Sequence, residues 1–364
     1  MKLKHLYTTI LLVALFNVTT QSAWALTITG VGADPSAIDP SAKQSSQVRF
    51  KIDQQAKVTL RIFDLYERVV REIESAGILK PGEHQLSWDG HDGNGKAVPG
   101  EAYHYTLEAK SEDGSTITHD LTDITVGDVY AVKDVNWDKE KNKLQYTLTK
   151  PARINLRAGI SNHGPLLKTL LDWVPQQSGK HELEWDGWDE SKVLNVAKHP
   201  KLEFRASAFN LPRNTIFVVP LTNKIDKEVV IEGKVQRRLP NHPRPIRMHD
   251  YARQPAEERR DVPLILKLTQ EYAKDSDGVA KVKGKVPIRV DVADTGYTAL
   301  SKQRFEPVFF VDGVFLSEIE AGFLPTTFVW DSSKYNPGVH YLTVNIVGFD
   351  GAKGSATIKL QVEE

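Results

Sequence analysis

The chain has 364 residues, with 47 basic and 47 acidic side chains and a formal net charge of zero. Hydrophobic residues make up 40% and charged residues 26%, ordinary globular values that set disorder aside and, at this length, point to more than one domain. Zero net charge argues against a nucleic-acid binder, which needs a large basic surface, and the lack of cysteine excludes thiol catalysis, Cys-based zinc sites, iron–sulfur clusters and covalently attached haem.

The first residues read as an export signal. Lys2 and Lys4 precede the apolar run Ile10 to Phe16, and Ala23-Trp24-Ala25 supplies a small-residue cleavage site. This pattern predicts a signal peptide over 1–25 and a periplasmic, extracellular or cell-surface destination. The apolar run is too short for a membrane anchor and no second one follows, so the mature chain is expected to have no membrane span. An exported chain without disulfides must be held by its own hydrophobic cores.

From 26 to 127 apolar and polar residues alternate in short runs. Val48, Phe50 and Ile52 form one, Val58, Leu60 and Ile62 the next, and Leu86 with Trp88 a third. Gly90, Asp92, Gly93, Asn94 and Gly95 then make a polar turn, and Tyr103, Tyr105, Leu107 and Ala109 alternate again. Glu112-Asp113-Gly114-Ser115 marks a hairpin. Strands with one apolar face predict a two-sheet sandwich. The order of Val58 to Asp64, Val69 to Ile73, Pro81-Gly82-Glu83-His84, Leu86 to Gly90 and Val98-Pro99-Gly100 resembles the immunoglobulin-like domain of the flagellar hook-capping protein FlgD. That resemblance implies an Ig-like fold. It implies no hook-capping role, because the hook cap's assembly region has no counterpart here and a signal peptide does not suit a flagellar export substrate.

From 128 to 220 the plan recurs with drift. Leu144, Tyr146 and Leu148 alternate, then Ile154, Leu156 and Ala158, and the run from Gly179 to Gly187 repeats the Trp-Asp-Gly signature with Trp185 and Asp186. Glu190 to Asn195 replaces the Gly-rich turn. From 221 to 261 periodicity fades into a Pro- and Arg-rich linker or strap. There Arg237, Arg238, Arg244 and Arg247 form a candidate docking strip for an acidic partner, and a solvated linker is the plainer reading. From 262 to 364 a third module is expected, with a leading strand near Pro263 to Gln270 and a hairpin at Val308 to Val314. The string from Phe310 through Trp330-Asp331 to Val344 resembles the bacterial Ig-like domains of cell-surface proteins and secreted hydrolases.

Trp88, Trp185 and Trp330 fall at matching places on the apolar side of their strands, each followed by Asp89, Asp186 or Asp331, and are expected to be core anchors. Trp137, Trp173 and Trp188 break that register and are the candidates for exposed contacts. Asp89, Asp92 and Asn94 resemble part of a calcium loop, but the spacing is irregular and the distal Glu is missing. His242 and His249 have no third ligand nearby. Neither an H-E-x-x-H nor a G-x-S-x-G motif occurs. The expectation is an all-β chain of tandem immunoglobulin-like β-sandwich domains, non-catalytic, needing no cofactor or metal. It would act through contacts with another envelope or extracellular protein, as a multi-Ig subunit or scaffold. A carbohydrate-binding accessory protein is the alternative, and an enzyme with a site split between modules comes third.

Overall fold

The computed structural model describes residues 25–122, 124–125, 129–219, 261–293, 296–297, 300–301, 304–348 and 353–364. The expected signal peptide up to Trp24, the docking strip of Arg237, Arg238, Arg244 and Arg247, and both His242 and His249 lie outside the described residues. What is described is all-β, built as three two-sheet sandwiches.

The first sandwich uses β1 (Ile28–Asp34), β2 (Ala37–Ile38), β3 (Ser46–Ile52), β4 (Ala56–Phe63), β5 (Val69–Glu74), β6 (Gly82–Trp88), β7 (Ala102–Ser111) and β8 (Thr116–His119). One sheet runs β1-β3-β6, and β7, β4 and β5 lie side by side in the other, with β8 on the outer side of β7. The alternation read from the sequence is the alternation of the core. Val48, Phe50 and Ile52 face Val58, Leu60, Ile62, Tyr105 and Leu107, all buried, and Trp88 closes one end with no exposure. Burying a Leu, Ile or Phe side chain contributes roughly 1.5–3 kcal/mol, so such a core needs no disulfide.

The second sandwich follows with β9 (Val129–Ala131), β10 (Asn136–Asp138), β11 (Lys143–Leu148), β12 (Ala152–Ile160), β13 (Leu166–Gln176), β14 (Gly179–Glu184) and β15 (Leu202–Asn210). Its sheets are β10-β11-β14 and β13-β12-β15-β9. The next strand, β16 (Thr215–Val218), does not stay in it. The sequence placed these residues at the close of the second module, yet they pair antiparallel with Ala102 to His104 of β7 and parallel with β2. Ile216 and Val218 are buried in the first core. The outer side of β7 is thus filled by β8 along Leu107 to Lys110 and by β16 along Ala102 to His104. Two turns of alternation are too short a signal to announce a strand that returns across a whole sandwich.

The third sandwich uses β17 (Leu264–Leu268), β18 (Ala280–Val282), β19 (Lys285–Val292), β20 (Phe305–Val311), β21 (Val314–Glu318), β22 (Thr326–Asp331), β23 (Gly338–Gly348) and β24 (Lys353–Val362). The sheets are β17-β19-β22 and β18-β24-β23-β20-β21. Here, among the described residues, β24 alone covers the outer side of β23, from Gly338 to Val347. The β20–β21 hairpin turns on Asp312 (φ 50°) and Gly313 (φ 79°), two successive left-handed residues, which is the backbone a two-residue turn requires. In all three sandwiches the Trp-bearing segment lies on or just beyond the outer strand of the three-stranded sheet: β6, β14 and β22.

Candidate functional site

The repeated Trp-Asp-Gly stretch is a structural corner. Trp88 and Trp185 are buried, and each indole Nε1 donates to a backbone carbonyl three residues on, His91 O at 2.9 Å and Trp188 O at 3.0 Å. Asp89 and Asp186 accept from the backbone N–H of those same residues, each at 3.1 Å. Gly90 and Gly187 are left-handed (φ 76° and 81°), and a Cβ there would sit 2.5 Å from Pro40 Cγ or 2.7 Å from Ala197 Cβ.

Asp92 then ties the loop by accepting from Asn94 N and Lys96 N, both at 2.9 Å. Asp189 does the same for Val193 N at 2.8 Å and Leu194 N at 2.9 Å. Glu190 to Asn195 replaces the Gly-rich turn in the second copy, and the loop keeps its form because one buried Asp in each copy satisfies the backbone donors. The calcium-like residues Asp92 and Asn94 are part of this loop, and no group of three metal-ligating side chains occurs among the described residues.

The third copy departs from the pattern. Trp330 is buried but its Nε1 has no hydrogen-bond partner, whereas Asp331 keeps the contact two residues on, accepting from Ser333 N at 3.3 Å, and caps the short 3-10 turn Ser332–Lys334.

A second repeat was not read from the sequence at all. In Gly82-Glu83-His84, Gly179-Lys180-His181 and Gly338-Val339-His340, the imidazole Nε2 meets the carbonyl four residues back: Lys80 O at 2.7 Å, Gln177 O at 2.8 Å and Asn336 O at 2.8 Å. The signal was present as a recurring G-x-H. His340 also places Nδ1 2.6 Å from Asp312 Oδ2. Burial pulls its pKa down, but the Asn336 and Asp312 acceptors outweigh it and hold the imidazole above its ordinary value.

The remaining tryptophans divide. Trp188 is exposed at 37%, as expected. Trp137 is not a free contact: it packs with ring centroids 5.2 Å from Trp185 and 6.4 Å from Phe204. Trp173 is half-buried against a small cluster of Val262, Val292, Leu300, Phe305 and Ile346 in the third sandwich. Both break the core register because they serve secondary packing, and sequence alternation cannot tell that from exposure.

Both junctions between sandwiches use the outer face of the sheet that contains β12. Ala152, Ile154, Leu156 and Ala158 point into the second core, so Arg153, Asn155 and Arg157 point away from it. Arg153 is nevertheless only 2% exposed, because the first sandwich covers it; its Nη2 donates to Glu101 Oε1 at 2.9 Å. At the other end the third sandwich covers Arg157. Its Nη2 lies 3.6 Å from Asp261 Oδ1 and 4.0 Å from Asp172 Oδ1, and its Nε donates to Thr169 Oγ1 at 3.3 Å. Asn345 of β23 clamps β13, its Oδ1 accepting from Leu166 N at 2.8 Å while its Nδ2 donates to Leu166 O at 2.7 Å. Ser355 Oγ donates to the same carbonyl at 2.7 Å, and Thr357 N donates to Ser191 Oγ at 2.8 Å.

Beside this clamp a cleft of about 390 Å³ opens between the second and third sandwiches. Arg157, Arg205 and Glu203 line it from β12 and β15, and Val308, Phe310 and Lys353 from the other side. Burial and the neighbouring Arg157 lower the Lys353 pKa, with Asp261 opposing. Asp261 is raised, by burial first, with Arg157 and Thr169 opposing.

These features define a tandem Ig-like β-sandwich protein whose repeated polar residues hold turns and whose inter-sandwich surfaces are specifically bonded. Residues 36–113 match the FlgD Ig-like domain family. Among curated proteins nothing matches. Among solved structures, the chain is similar to the fibronectin(III)-like modules of Clostridium thermocellum CbhA, at 12% identity, covering 93% of this chain and 94% of that one, with a TM-score of 0.20. It is also similar to a tetra-tandem repeat from the extending region of a large adhesion protein (13% identity, 93% and 74% covered, TM-score 0.19). A third similar structure is from a 1.5-MDa bacterial ice-binding adhesin (11% identity, 93% and 99% covered, TM-score 0.19). At these scores the fold rests on the strand pairing and the matched family segment. No helix among the described residues is long and apolar enough to cross a membrane.

Proposed function

We propose that this is a non-catalytic, exported structural or binding subunit, a multi-Ig scaffold that presents protein-binding surfaces in the envelope or at the cell surface. The observation that carries the reading is the pair of bonded junctions. A buried Arg153–Glu101 pair and a returning strand join the first sandwich to the second, and a bidentate Asn345 clamp joins the second to the third. Flexibly linked beads would not need them; a spacer that must hold its surfaces at set positions would. A contact surface is at hand in β21, an outer strand with Val314 68% exposed and Phe315 50% exposed. Sheet edges accept partner strands, and an exposed apolar edge favours it. The strip Arg237, Arg238, Arg244 and Arg247 supplies the charge to steer an acidic partner. The module bounds 26–127, 128–220 and 262–364, the signal peptide and the Ig-like relationship of the third module belong to this same proposal.

The test is crosslinking and affinity capture from the native envelope with tagged mature protein. A variant with the four arginines changed to Ser and a second with Phe315→Lys are run beside it. A defined envelope protein captured by the parent and lost from either variant supports the assembly role and locates the contact. Retention on isolated polysaccharide with no protein captured would replace it with glycan binding.

A further inference from the structure

The cleft between the second and third sandwiches carries chemistry that the junction itself does not use. Arg157 and Arg205 are already answered there: Arg157 by Asp261 at 3.6 Å, and Arg205 by Glu203, whose Oε1 is 2.9 Å from Arg205 Nε. Lys353 is different. It stands at the start of β24, largely buried, and among the described residues no carboxylate lies within ion-pair distance of its Nζ. Its electrostatic neighbours are mostly cations, Arg157 and Arg205, with Asp261 the one opposing charge. An ammonium half-desolvated beside two guanidinium groups, with its one opposing carboxylate shared with Arg157, is favoured by a further negative group in the space. The wall facing it is apolar, from Val308 and Phe310. A volume of about 390 Å³ is within the range of small-molecule sites, whose usual pattern is apolar walls with a few convergent polar groups.

We propose that this cleft is a binding site for a small organic anion, a carboxylate on an apolar body. The carboxylate meets Lys353, with Arg205 alongside, and the body lies against Val308 and Phe310. Such a ligand would bridge residues from two sandwiches and so strengthen the junction as it binds, since a ligand that binds only the assembled cleft stabilises it by mass action. This goes beyond the scaffold reading and does not depend on the identity of any protein partner.

The experiment uses the full mature chain and hexanoate as probe, with hexan-1-ol and hexylammonium as neutral and cationic controls of the same length. Binding is followed by calorimetry and by NMR of the lysine side-chain signals. Hexanoate is expected to bind about tenfold or more tightly than hexan-1-ol, the value of a hydrogen-bonded charge, and to shift the Lys353 resonance. Lys353→Met should remove that advantage and Lys353→Arg should keep it, each checked for an unchanged thermal transition. If Lys353→Met does not fold, the charge series on the parent chain decides. Equal affinity for the three probes, no measurable hexanoate binding, or a Lys353→Met variant that binds hexanoate as the parent does would each overturn the proposal.

Discussion

Removing the carboxylate of Glu101 tests whether the first junction is held by one buried ion pair. Arg153 is 2% exposed and the Glu101 side chain 17%, with 2.9 Å between the bonded atoms. Two unit charges about 4 Å apart at an effective dielectric of 20 attract by roughly 4 kcal/mol. Taking one partner away also strands the other in a poorly solvated site, and breaking buried pairs typically costs about 3–5 kcal/mol. Glu101→Gln should therefore destabilise the first two sandwiches by about 3 kcal/mol. Arg153→Met alone should cost less, because it removes the buried cation and keeps the volume. The double variant Glu101→Gln/Arg153→Met should recover to within about 1–2 kcal/mol of the parent. Urea denaturation of all four proteins gives the double-mutant cycle and its coupling energy. A cost below about 1 kcal/mol for Glu101→Gln, the value of an exposed pair, would refute the reasoning and shift the junction's stability onto β16.

The corner aspartates make a matched prediction: Asp92→Ala and Asp189→Ala should each cost about 2–3 kcal/mol, since each leaves two backbone N–H groups without their acceptor, and thermal melts would show both losses or neither. The tryptophans should behave unequally. Trp88→Phe loses the bond to His91 O whereas Trp330→Phe removes a buried donor that has no partner, so Trp88→Phe should be the more damaging by about 1 kcal/mol in chemical denaturation. His340 should make the third sandwich pH-dependent. Its folded pKa lies above the unfolded value of about 6.5, so its contribution is complete below that pH and is lost as pH rises through the folded value. Melts from pH 5 to 9 should show this decline, and His340→Gln should flatten it; an unchanged slope in the variant would remove His340 as its source.

Much of the fold was legible in the chain because strand alternation is a local property. Val48, Phe50 and Ile52 could be assigned to one face without knowing what they face, and Trp88, Trp185 and Trp330 could be assigned to cores from their shared register. The G-x-H repeat at His84, His181 and His340 was equally local and could have been read. The sequence by itself therefore determined the all-β class, the sandwich strands and the Trp-Asp corners, since each depends on residues within a few positions of one another. Only the tertiary structure decided that Thr215–Val218 completes the first sandwich, that Arg153 is buried although it points away from its own core, and that Asn345 grips Leu166. It likewise brought Arg157, Arg205 and Lys353 around one cleft. Those facts depend on which outer sheet face meets another, and alternation marks such a face as polar without recording whether water or a neighbouring sandwich covers it.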